Sequence, residues 1–304
     1  MTTPATHPDL VYILCPSYHG ATLLSLLLNN HPEVLALGDT IPTRSFDQLC
    51  LCKKLISECA FWREALDAAR ADRFAAESRF LPPLPRLAAG ERSNLVANLA
   101  LASLAAVPPL RRSLVGSLTA LSSYLDAYEC FRRVTLRRAG ARVFVDGQKS
   151  WPIPLVVHGL TGRPISILHL TRDPRAFAYS MLQRKRATPE FAARGWVRQH
   201  RLIAAVGHIA ARRRGVLQVR YEDLAQAPRE TMARVFSFLG LPDAEVVRTP
   251  VDGEKGHLIG NKMKKTFDGT IELDVRWKDG LSEADTRRIV QISTTMMRRL
   301  GYLH

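Results

Sequence analysis

The chain has 304 residues, of which 46% are hydrophobic and 23% charged, a composition that can bury a substantial core and excludes intrinsic disorder. Lysine and arginine together number 43 against 28 acidic residues, which gives a formal charge of +15. This excess favours polyanionic partners such as nucleic acid, an anionic membrane surface or a nucleotide with several phosphates, and charge alone does not distinguish among them.

Neither an export signal nor a membrane span is evident. Residues 1–9 are polar, and the apolar run Leu10–Cys15 is too short for the core of a signal peptide. The apolar stretch Leu95–Leu125 is interrupted by two prolines and two arginines, so we expect two buried or interfacial helices there. The five cysteines are an odd number. We therefore expect reduced thiols and a cytoplasmic location.

Five short apolar segments are predicted to be strands: Leu10–Cys15, Val34–Leu37, Arg142–Val145, Ile165–Leu170 and Val216–Tyr221. Helical patterns follow the first strand at 21–29 and the last three at 152–160, at 174–187 continuing to 190–214, and at 228–239. Buried strands alternating with helices predict an α/β fold with a doubly wound, mostly parallel sheet. In such sheets, ligands bind beyond the carboxyl ends of the strands.

The remaining segments are predicted to be helical. Residues from about 45 to 138 have helical character without a clear strand, which suggests a helical insertion. Ser282–Leu300 is expected to form a closing amphipathic helix, with Ser282 as N-cap and Asp285 completing a capping box. Because no repeat or low-complexity linker is present, residues 1–304 are interpreted as one domain with an insertion.

The first predicted strand runs into the loop Pro16–Gly20 and then into a helix. Backbone N–H groups at such a junction can converge on an oxyanion, and Thr22 could add a hydroxyl donor. The loop is not a Walker A motif, because no Gly-Lys-Ser/Thr follows. It is either a phosphate-binding loop or an ordinary turn of an α/β protein.

A second candidate phosphate site follows the fourth predicted strand. Arg172 leaves the strand end, and Ser180 lies eight residues later on a helix for which Asp173 is the expected N-cap and Pro174 the first residue. A guanidinium and a hydroxyl can bind a phosphate from two sides. A surface arginine beside an ordinary helical serine is the alternative.

Together these segments resemble the family of sulfotransferases that use 3′-phosphoadenosine-5′-phosphosulfate (PAPS). The family's loop ends in Gly-Thr-Thr-Leu-Leu, and here the sequence is Gly20-Ala-Thr-Leu-Leu24, followed by a His31-Pro32 turn. Arg172 and Ser180 match the family's pair in type and spacing. Residues 219–242 and 257–277 are similar to its late strand, helix and C-terminal loop. The resemblance covers residues 10–40 and 143–300.

The resemblance implies a P-loop NTPase-like fold and sulfuryl transfer from PAPS to a hydroxyl or amine, with adenosine 3′,5′-bisphosphate (PAP) as product and no metal required. It implies that the 5′-phosphosulfate is bound by the first loop, namely Tyr18, His19, Gly20, Ala21, Thr22 and Leu23. Arg172 and Ser180 would bind the 3′-phosphate. From the residues themselves, Tyr221 or Trp151 could stack on adenine, with a place in the core as the alternative. A basic loop with Lys262, Lys264 and Lys265 could close over the phosphosulfate, with a solvated charged face as the alternative.

Three residues are candidates for the chemistry. Asp39 stands where branches of the family carry a catalytic carboxylate, so it is the first candidate general base. His19 is the second, and because Tyr18-His19 replaces the family's basic residue and serine, a protonated His19 could also neutralise the sulfuryl group. Lys149 would stabilise the departing oxygen. A turn cap, a structural histidine and a solvated lysine are the respective alternatives.

Cys50, Cys52 and Cys59 form a cluster that resembles a Cys-x-Cys…Cys-x-Phe-Trp segment of some bacterial sulfotransferases. The three thiols lack an evident fourth ligand, and their spacing is not that of a standard zinc site. Buried thiols are therefore expected, with a metal as the alternative. The surrounding insertion is expected to select the acceptor, a small or lipid-like molecule.

Two other classes of function remain open. An atypical P-loop kinase or nucleotide hydrolase would bind ATP with Mg²⁺. A non-catalytic binder of nucleic acid or anionic membranes would account for the charge, although no nucleic-acid module is visible and no specific nucleic acid is expected as a partner. A sulfotransferase fold without activity is a third interpretation, because of Tyr18-His19.

Overall fold

The computed structural model describes residues 9–39, 49–71, 87–104, 119–184, 187–211, 214–244, 253–260 and 267–303. Five strands form one sheet: β1 Leu10–Leu14, β2 Val34–Ala36, β3 Val143–Asp146, β4 Ser166–Thr171 and β5 Val216–Arg220. Their order is β2-β3-β1-β4-β5, and every neighbouring pair is parallel. Each strand bound lies within one residue of its predicted position, and the predicted α/β fold with a parallel sheet is confirmed.

Eleven α-helices are described in these parts of the chain: α1 Ala21–Leu28, α2 Ala60–Ala71, α3 Glu91–Leu104, α4 Thr119–Ala139, α5 Pro152–Thr161, α6 Pro174–Leu182, α7 Pro189–Ala210, α8 Tyr221–Gln226, α9 Pro228–Phe238, α10 Trp277–Gly280 and α11 Glu283–Arg299. The helix predicted over 174–187 ends earlier, and α7 begins anew with Thr188 as N-cap and Pro189 in its first turn. The residue before a proline disfavours the helical conformation, which separates the two helices.

Two predicted helix caps are present. Asp173 is the N-cap of α6, where its carboxylate accepts a hydrogen bond from the Arg175 amide at 2.8 Å, and Pro174 follows it. Ser282 caps α11 by accepting a hydrogen bond from the Asp285 amide at 3.0 Å. The first of these caps determines where β4 turns into α6, and therefore where Arg172 leaves the sheet.

Both faces of the sheet are covered. In β1, Leu10, Tyr12 and Leu14 belong to a core that includes side chains of α2 and α4. Val11 and Ile13 point the other way, into a core built with α1 and α9. Because successive residues of a strand face opposite sides, a strand buried on both faces must be apolar throughout. This is why polar and apolar residues do not alternate along β1.

The described residues between β2 and β3 are mostly helical. Helices α2, α3 and α4 lie between β2 and β3, and an isolated antiparallel bridge joins Leu49 and Leu55. The two helices expected in Leu95–Leu125 correspond to α3 and the start of α4, whereas 105–118 lies outside the described residues. Among the described helices, none has the length and apolar character needed to cross a lipid bilayer.

Candidate active site

The loop after β1 presents the first turn of α1 at the carboxyl edge of the sheet. Tyr18 has φ 64° and Gly20 φ 88°, and Gly20 is the N-cap of α1. The first intrahelical bond runs from the Leu24 amide to the Gly20 carbonyl at 3.0 Å. In an α-helix the amides that precede this bond, here those of residues 21–23, point out of the helix start, where an anion can approach them. A left-handed turn that leads into a helix start can bind an anion.

Arg172 contacts this loop directly. Its Nη1 donates to the Tyr18 carbonyl oxygen at 2.8 Å, and its Nη2 donates to Oδ2 of Asp274 at 3.0 Å. The guanidinium also lies over the ring of Tyr221, with 4.5 Å between its central carbon and the ring centroid. The side chain is only 7% exposed. Its Nε is buried and has no hydrogen-bond partner among the described residues, so one donor is left for a ligand.

Asp274 is a site residue that sequence reasoning missed. Its carboxylate accepts hydrogen bonds from Arg172 and from Nε and Nη2 of Arg276, both at 2.8 Å. The hydrogen bonds from Arg276, and then the contact with Arg172, hold the pKa of this carboxyl well below its usual range. Asp274 is therefore an anion beside the arginine that was predicted to bind a phosphate. It lies in the 273–277 segment, whose position against Arg172 was not predictable from sequence.

Tyr221 does not have the exposure expected of an adenine platform. Its side chain is buried, one face is covered by the Arg172 guanidinium, and a Cβ added to Gly20 would lie 2.7 Å from its Cδ2. Its hydroxyl donates to the Glu272 carbonyl and accepts from the Asp274 amide. Tyr221 packs between the first loop and the 272–274 segment, and its stacking on adenine stays a prediction.

Ser180 lies on α6 and is half-buried. Its hydroxyl donates to the Ala176 carbonyl, one helical turn earlier, at 3.0 Å. Helical serines commonly make this bond. Its oxygen can still accept a hydrogen bond, but the hydroxyl must rotate away from Ala176 before it can donate to a phosphate.

Asp39 and Lys149 are brought together although 110 residues separate them. Lys149 Nζ donates to Oδ1 of Asp39 at 2.7 Å. Burial acts to lower the pKa of Lys149, but the Asp39 carboxylate outweighs it and the pKa is raised. The ends of β2 and β3 approach closely here, because a Cβ added to Gly147 would lie 2.6 Å from the Gly38 carbonyl oxygen. The two predicted catalytic residues thus form an ion pair at one edge of the sheet.

Residues 257–260 connect the first loop to the Asp39–Lys149 ion pair. The Ile259 amide donates to the Leu37 carbonyl at 2.9 Å, and the Asp39 amide donates to the Ile259 carbonyl at 3.0 Å. Gly260 lies against the first turn of α1, since a Cβ added there would be 2.8 Å from Oγ1 of Thr22. The segment therefore contacts both Asp39 and the first loop. Lys262, Lys264 and Lys265 come directly after it but lie outside the described residues.

His19 is enclosed in a chain of three histidines. Its Nδ1 lies 2.9 Å from the Ser17 carbonyl and so must carry the proton, which leaves Nε2 as an acceptor for His200 Nε2 at 3.3 Å. His200 Nδ1 then accepts from His169 Nε2 at 2.7 Å. Burial lowers the pKa of His19 to about 3. Burial therefore favours an uncharged, hydrogen-bonded ring at neutral pH, whereas the roles predicted for His19 in the chemistry stay predictions.

Comparisons with known proteins agree with this architecture. Residues 165–245 match a family model described as the Sulfotransferase family. The sulfotransferase domain of the Synechococcus olefin synthase has a TM-score of 0.52 and 19% identity, with 97% of each chain covered. The predicted resemblance to the sulfotransferase family is confirmed. At this identity the structural likeness shows the fold, and it supports the predicted sulfotransferase type of α/β sheet.

Two further solved structures are similar to this sulfotransferase-like chain. A sulfotransferase domain from the curacin biosynthetic pathway has a TM-score of 0.47 and 16% identity, with coverage of 97% of this chain and 98% of that one. A sulfotransferase from Mycobacterium avium has a TM-score of 0.45 and 14% identity, with coverage of 97% and 77%. No curated protein matches the chain.

The segment that matches the sulfotransferase family contains only part of the site. Arg172, Ser180 and Tyr221 fall within it, whereas the first loop, Asp39 and Lys149 lie outside. The residues outside this segment are linked to the site through the contacts described above.

Proposed function

We propose that the chain transfers a sulfuryl group from PAPS to a hydroxyl or amine of a small or lipid-like acceptor. The observation that carries this proposal is the 2.8 Å hydrogen bond from Arg172 to the Tyr18 carbonyl. It brings a buried guanidinium against the loop that opens α1. A nucleotide with phosphates at both its 5′ and 3′ positions is the kind of ligand that such a pair of sites fits.

In this proposal the first turn of α1 holds the 5′-phosphosulfate through the amides of residues 21–23 and the Thr22 hydroxyl. Arg172 holds the 3′-phosphate through its Nε and through Nη2, which Asp274 must release. Ser180 completes the 3′-phosphate site after its hydroxyl turns from Ala176. The contacts with the 3′-phosphate are charge-assisted, and because AMP lacks this phosphate, they discriminate between PAP and AMP.

The chemistry is assigned to the Asp39–Lys149 ion pair, which follows the carboxyl ends of β2 and β3. Asp39 accepts the proton of the acceptor as its oxygen or nitrogen forms a bond to sulfur. The bond between sulfur and the bridging oxygen breaks in line, and PAP leaves. The Lys149 ammonium stabilises the charge that develops on the departing oxygen. Its raised pKa keeps it cationic across the physiological range.

The test compares ligands by thermal shift. We expect PAP to raise the melting temperature more than AMP does, because AMP lacks the 3′-phosphate. Adenosine 2′,5′-bisphosphate is the matched control, since it has the same charge with the second phosphate in a different position. Equal stabilisation by AMP or by the 2′,5′ isomer would count against the proposal.

Two other outcomes would favour the competing functions. A preference for ATP with Mg²⁺ over PAP would favour a kinase or nucleotide hydrolase. Salt-sensitive binding of DNA or RNA without any response to PAP would favour a polyanion binder. Transfer itself is measured with ³⁵S-labelled PAPS and a panel of phenols, alcohols and amines.

A further inference from the structure

The three clustered cysteines have a fourth partner that their sequence spacing did not reveal. Nδ1 of His257 lies 3.5 Å from Sγ of Cys50 and 3.3 Å from Sγ of Cys59. Sγ of Cys52 lies 3.6 Å from Sγ of Cys59. All four atoms lie within 4.8 Å of one another. Cys50 and Cys59 are buried, and Cys52 and His257 are half-buried.

These separations are those of ligands around one tetrahedral ion. With zinc–sulfur bonds of about 2.3 Å and a zinc–nitrogen bond of about 2.0–2.1 Å, tetrahedral geometry places two sulfurs about 3.8 Å apart and a sulfur and a nitrogen about 3.6 Å apart. Three of the separations here are 3.6, 3.5 and 3.3 Å. Three thiolates and one imidazole are a common donor set of structural zinc sites.

The residues around the cluster support the same interpretation. Nε1 of the fully buried Trp62 donates to Sγ of Cys50 at 3.4 Å, the type of hydrogen bond that orients a metal-bound thiolate. The ring of Phe61 stacks on that of His257, with centroids 4.5 Å apart and planes 11° apart. Both aromatic residues of the Cys-x-Phe-Trp segment therefore contact a donor of the cluster.

We propose that Cys50, Cys52, Cys59 and His257 bind one Zn²⁺ ion in a closed, structural Cys₃His site. Four protein donors leave no open position for a substrate, so the ion takes no part in transfer. The inference goes beyond the proposed function, because zinc binding does not depend on which nucleotide the site accepts.

The position of the site indicates what the ion does for the fold. His257 opens the segment 257–260, whose Ile259 pairs with the backbone of Leu37 and Asp39. The Leu51 amide donates to the Leu258 carbonyl at 3.2 Å, directly beside the cysteines. The ion thus joins the start of the helical insertion to the segment that contacts Asp39 and Thr22. Zinc would hold that segment against the candidate active site.

The first experiment measures the zinc content of protein purified under reducing conditions without added metal. The sulfur content of the same sample gives the protein concentration, so that zinc is expressed as ions per chain. We expect about one Zn²⁺ per chain, and almost none in Cys59→Ser or His257→Ala. Cys130→Ser is the matched control, because Cys130 is also buried but donates to the Ala68 carbonyl, outside the cluster. It should keep the ion.

A second variant is needed because removal of a zinc-binding side chain could unfold the chain. His257→Cys supplies a fourth thiolate, and we expect it to retain zinc. Cobalt replacement should give the intense visible bands of a tetrahedral thiolate site in the wild type, with a changed spectrum in His257→Cys. Hydrogen exchange at the Asp39 and Ile259 amides should become faster when a chelator removes the ion.

Several results would overturn the proposal. One is wild-type protein with less than about a tenth of an ion per chain. Another is a disulfide between Cys52 and Cys59 in freshly purified protein, which would remove two of the four donors. A third is unchanged zinc content in both Cys59→Ser and His257→Ala. None of these results depends on PAP binding, so failure of the zinc site and failure of the proposed function can be told apart.

Discussion

Arg172 donates a 2.8 Å hydrogen bond to the carbonyl of Tyr18, 154 positions earlier in the chain. The contact follows from the topology, because β1 and β4 are parallel neighbours and both residues follow the carboxyl ends of these strands. Residues that leave adjacent parallel strands emerge at the same edge of the sheet. The arginine and the loop are thus held together before any ligand binds.

We expect Arg172→Lys to weaken PAP binding by about 10- to 100-fold, because an ammonium cannot keep the Tyr18 bond and also bind a phosphate from two sides. Binding of AMP should change little. Both affinities are measured by isothermal titration calorimetry. Arg287→Lys is the control, an exposed arginine that pairs with Glu283 on α11. Unchanged affinity for PAP in Arg172→Lys would remove this residue from the 3′-phosphate site.

Asp274→Asn should bind PAP about fivefold more tightly, because it removes a repulsion of roughly 1 kcal/mol between a carboxylate and the 3′-phosphate. The variant without ligand should melt at a lower temperature, since Arg172 loses a charged acceptor. Thermal shift with and without PAP measures both effects. Asp279→Asn is the control, an exposed acid on the nearby α10. Weaker PAP binding in Asp274→Asn would mean that Asp274 positions Arg172 instead of competing with phosphate.

Much of the fold was predictable because strands β1 to β4 are buried on both faces. Val11 and Ile13 pack into one core and Tyr12 into the other, and this double burial produces the continuous apolar run seen in the sequence. The N-caps Asp173 and Ser282 were predictable for a local reason, since a cap depends on residues within one turn. The end of α6 at Leu182 was missed, because Arg184 and the residues near it are good helix formers.

The parts of the site that were missed depend on distant contacts. His257 joins Cys50 across 207 positions, so no spacing rule within the cysteine segment could reveal it. Asp274 reaches Arg172 across 102 positions. The lowered pKa of His19 depends on burial and on the nearby Arg172 cation, neither of which is visible in the Tyr18-His19 pair. Local patterns therefore identified candidate residues, whereas their partners and charge states required the tertiary structure.

Asp39→Asn should slow sulfuryl transfer by about 10²- to 10⁴-fold, because the amide cannot take the acceptor's proton. PAP binding should be retained, since Asp39 is not among the residues assigned to the phosphates. Transfer is followed with labelled PAPS and binding by thermal shift. Turnover equal to that of the wild type would remove Asp39 from the mechanism.

Lys149→Met tests whether the lysine acts on the reaction or only holds Asp39 in place. If it stabilises the departing oxygen, the variant should lose activity in the Asp39→Asn background by about the same factor as in the wild type. If Lys149 only positions Asp39, Lys149→Met should cause almost no further loss of activity in the Asp39→Asn background. Lys278→Met, at an exposed lysine on α10, is the control. We expect independent effects, which a double-mutant cycle on kcat measures.

The histidine chain predicts a loss of stability in mild acid. Burial lowers the pKa of His19 to about 3 and that of His169 to about 4, and it lowers the pKa of His200 as well. In the unfolded chain these rings take up protons near pH ~6.5. As the pH falls from ~6.5 towards 4, the unfolded state therefore binds protons that the native state does not. The free energy of unfolding should fall over this range, by up to about 1.4 kcal/mol per pH unit for each ring.

His169→Gln tests this origin of the pH dependence. Its amide can still donate to Nδ1 of His200 but takes up no proton, so stability near pH 7 should be largely kept and the decline below pH ~6.5 should be shallower. Urea unfolding at about pH 7 and about pH 5.5 measures the difference. His208→Gln, at an exposed histidine of α7, should leave the decline unchanged. If the free energy of unfolding falls equally steeply with pH in His169→Gln and in the wild type, protonation of the buried histidines is not the cause of the pH dependence.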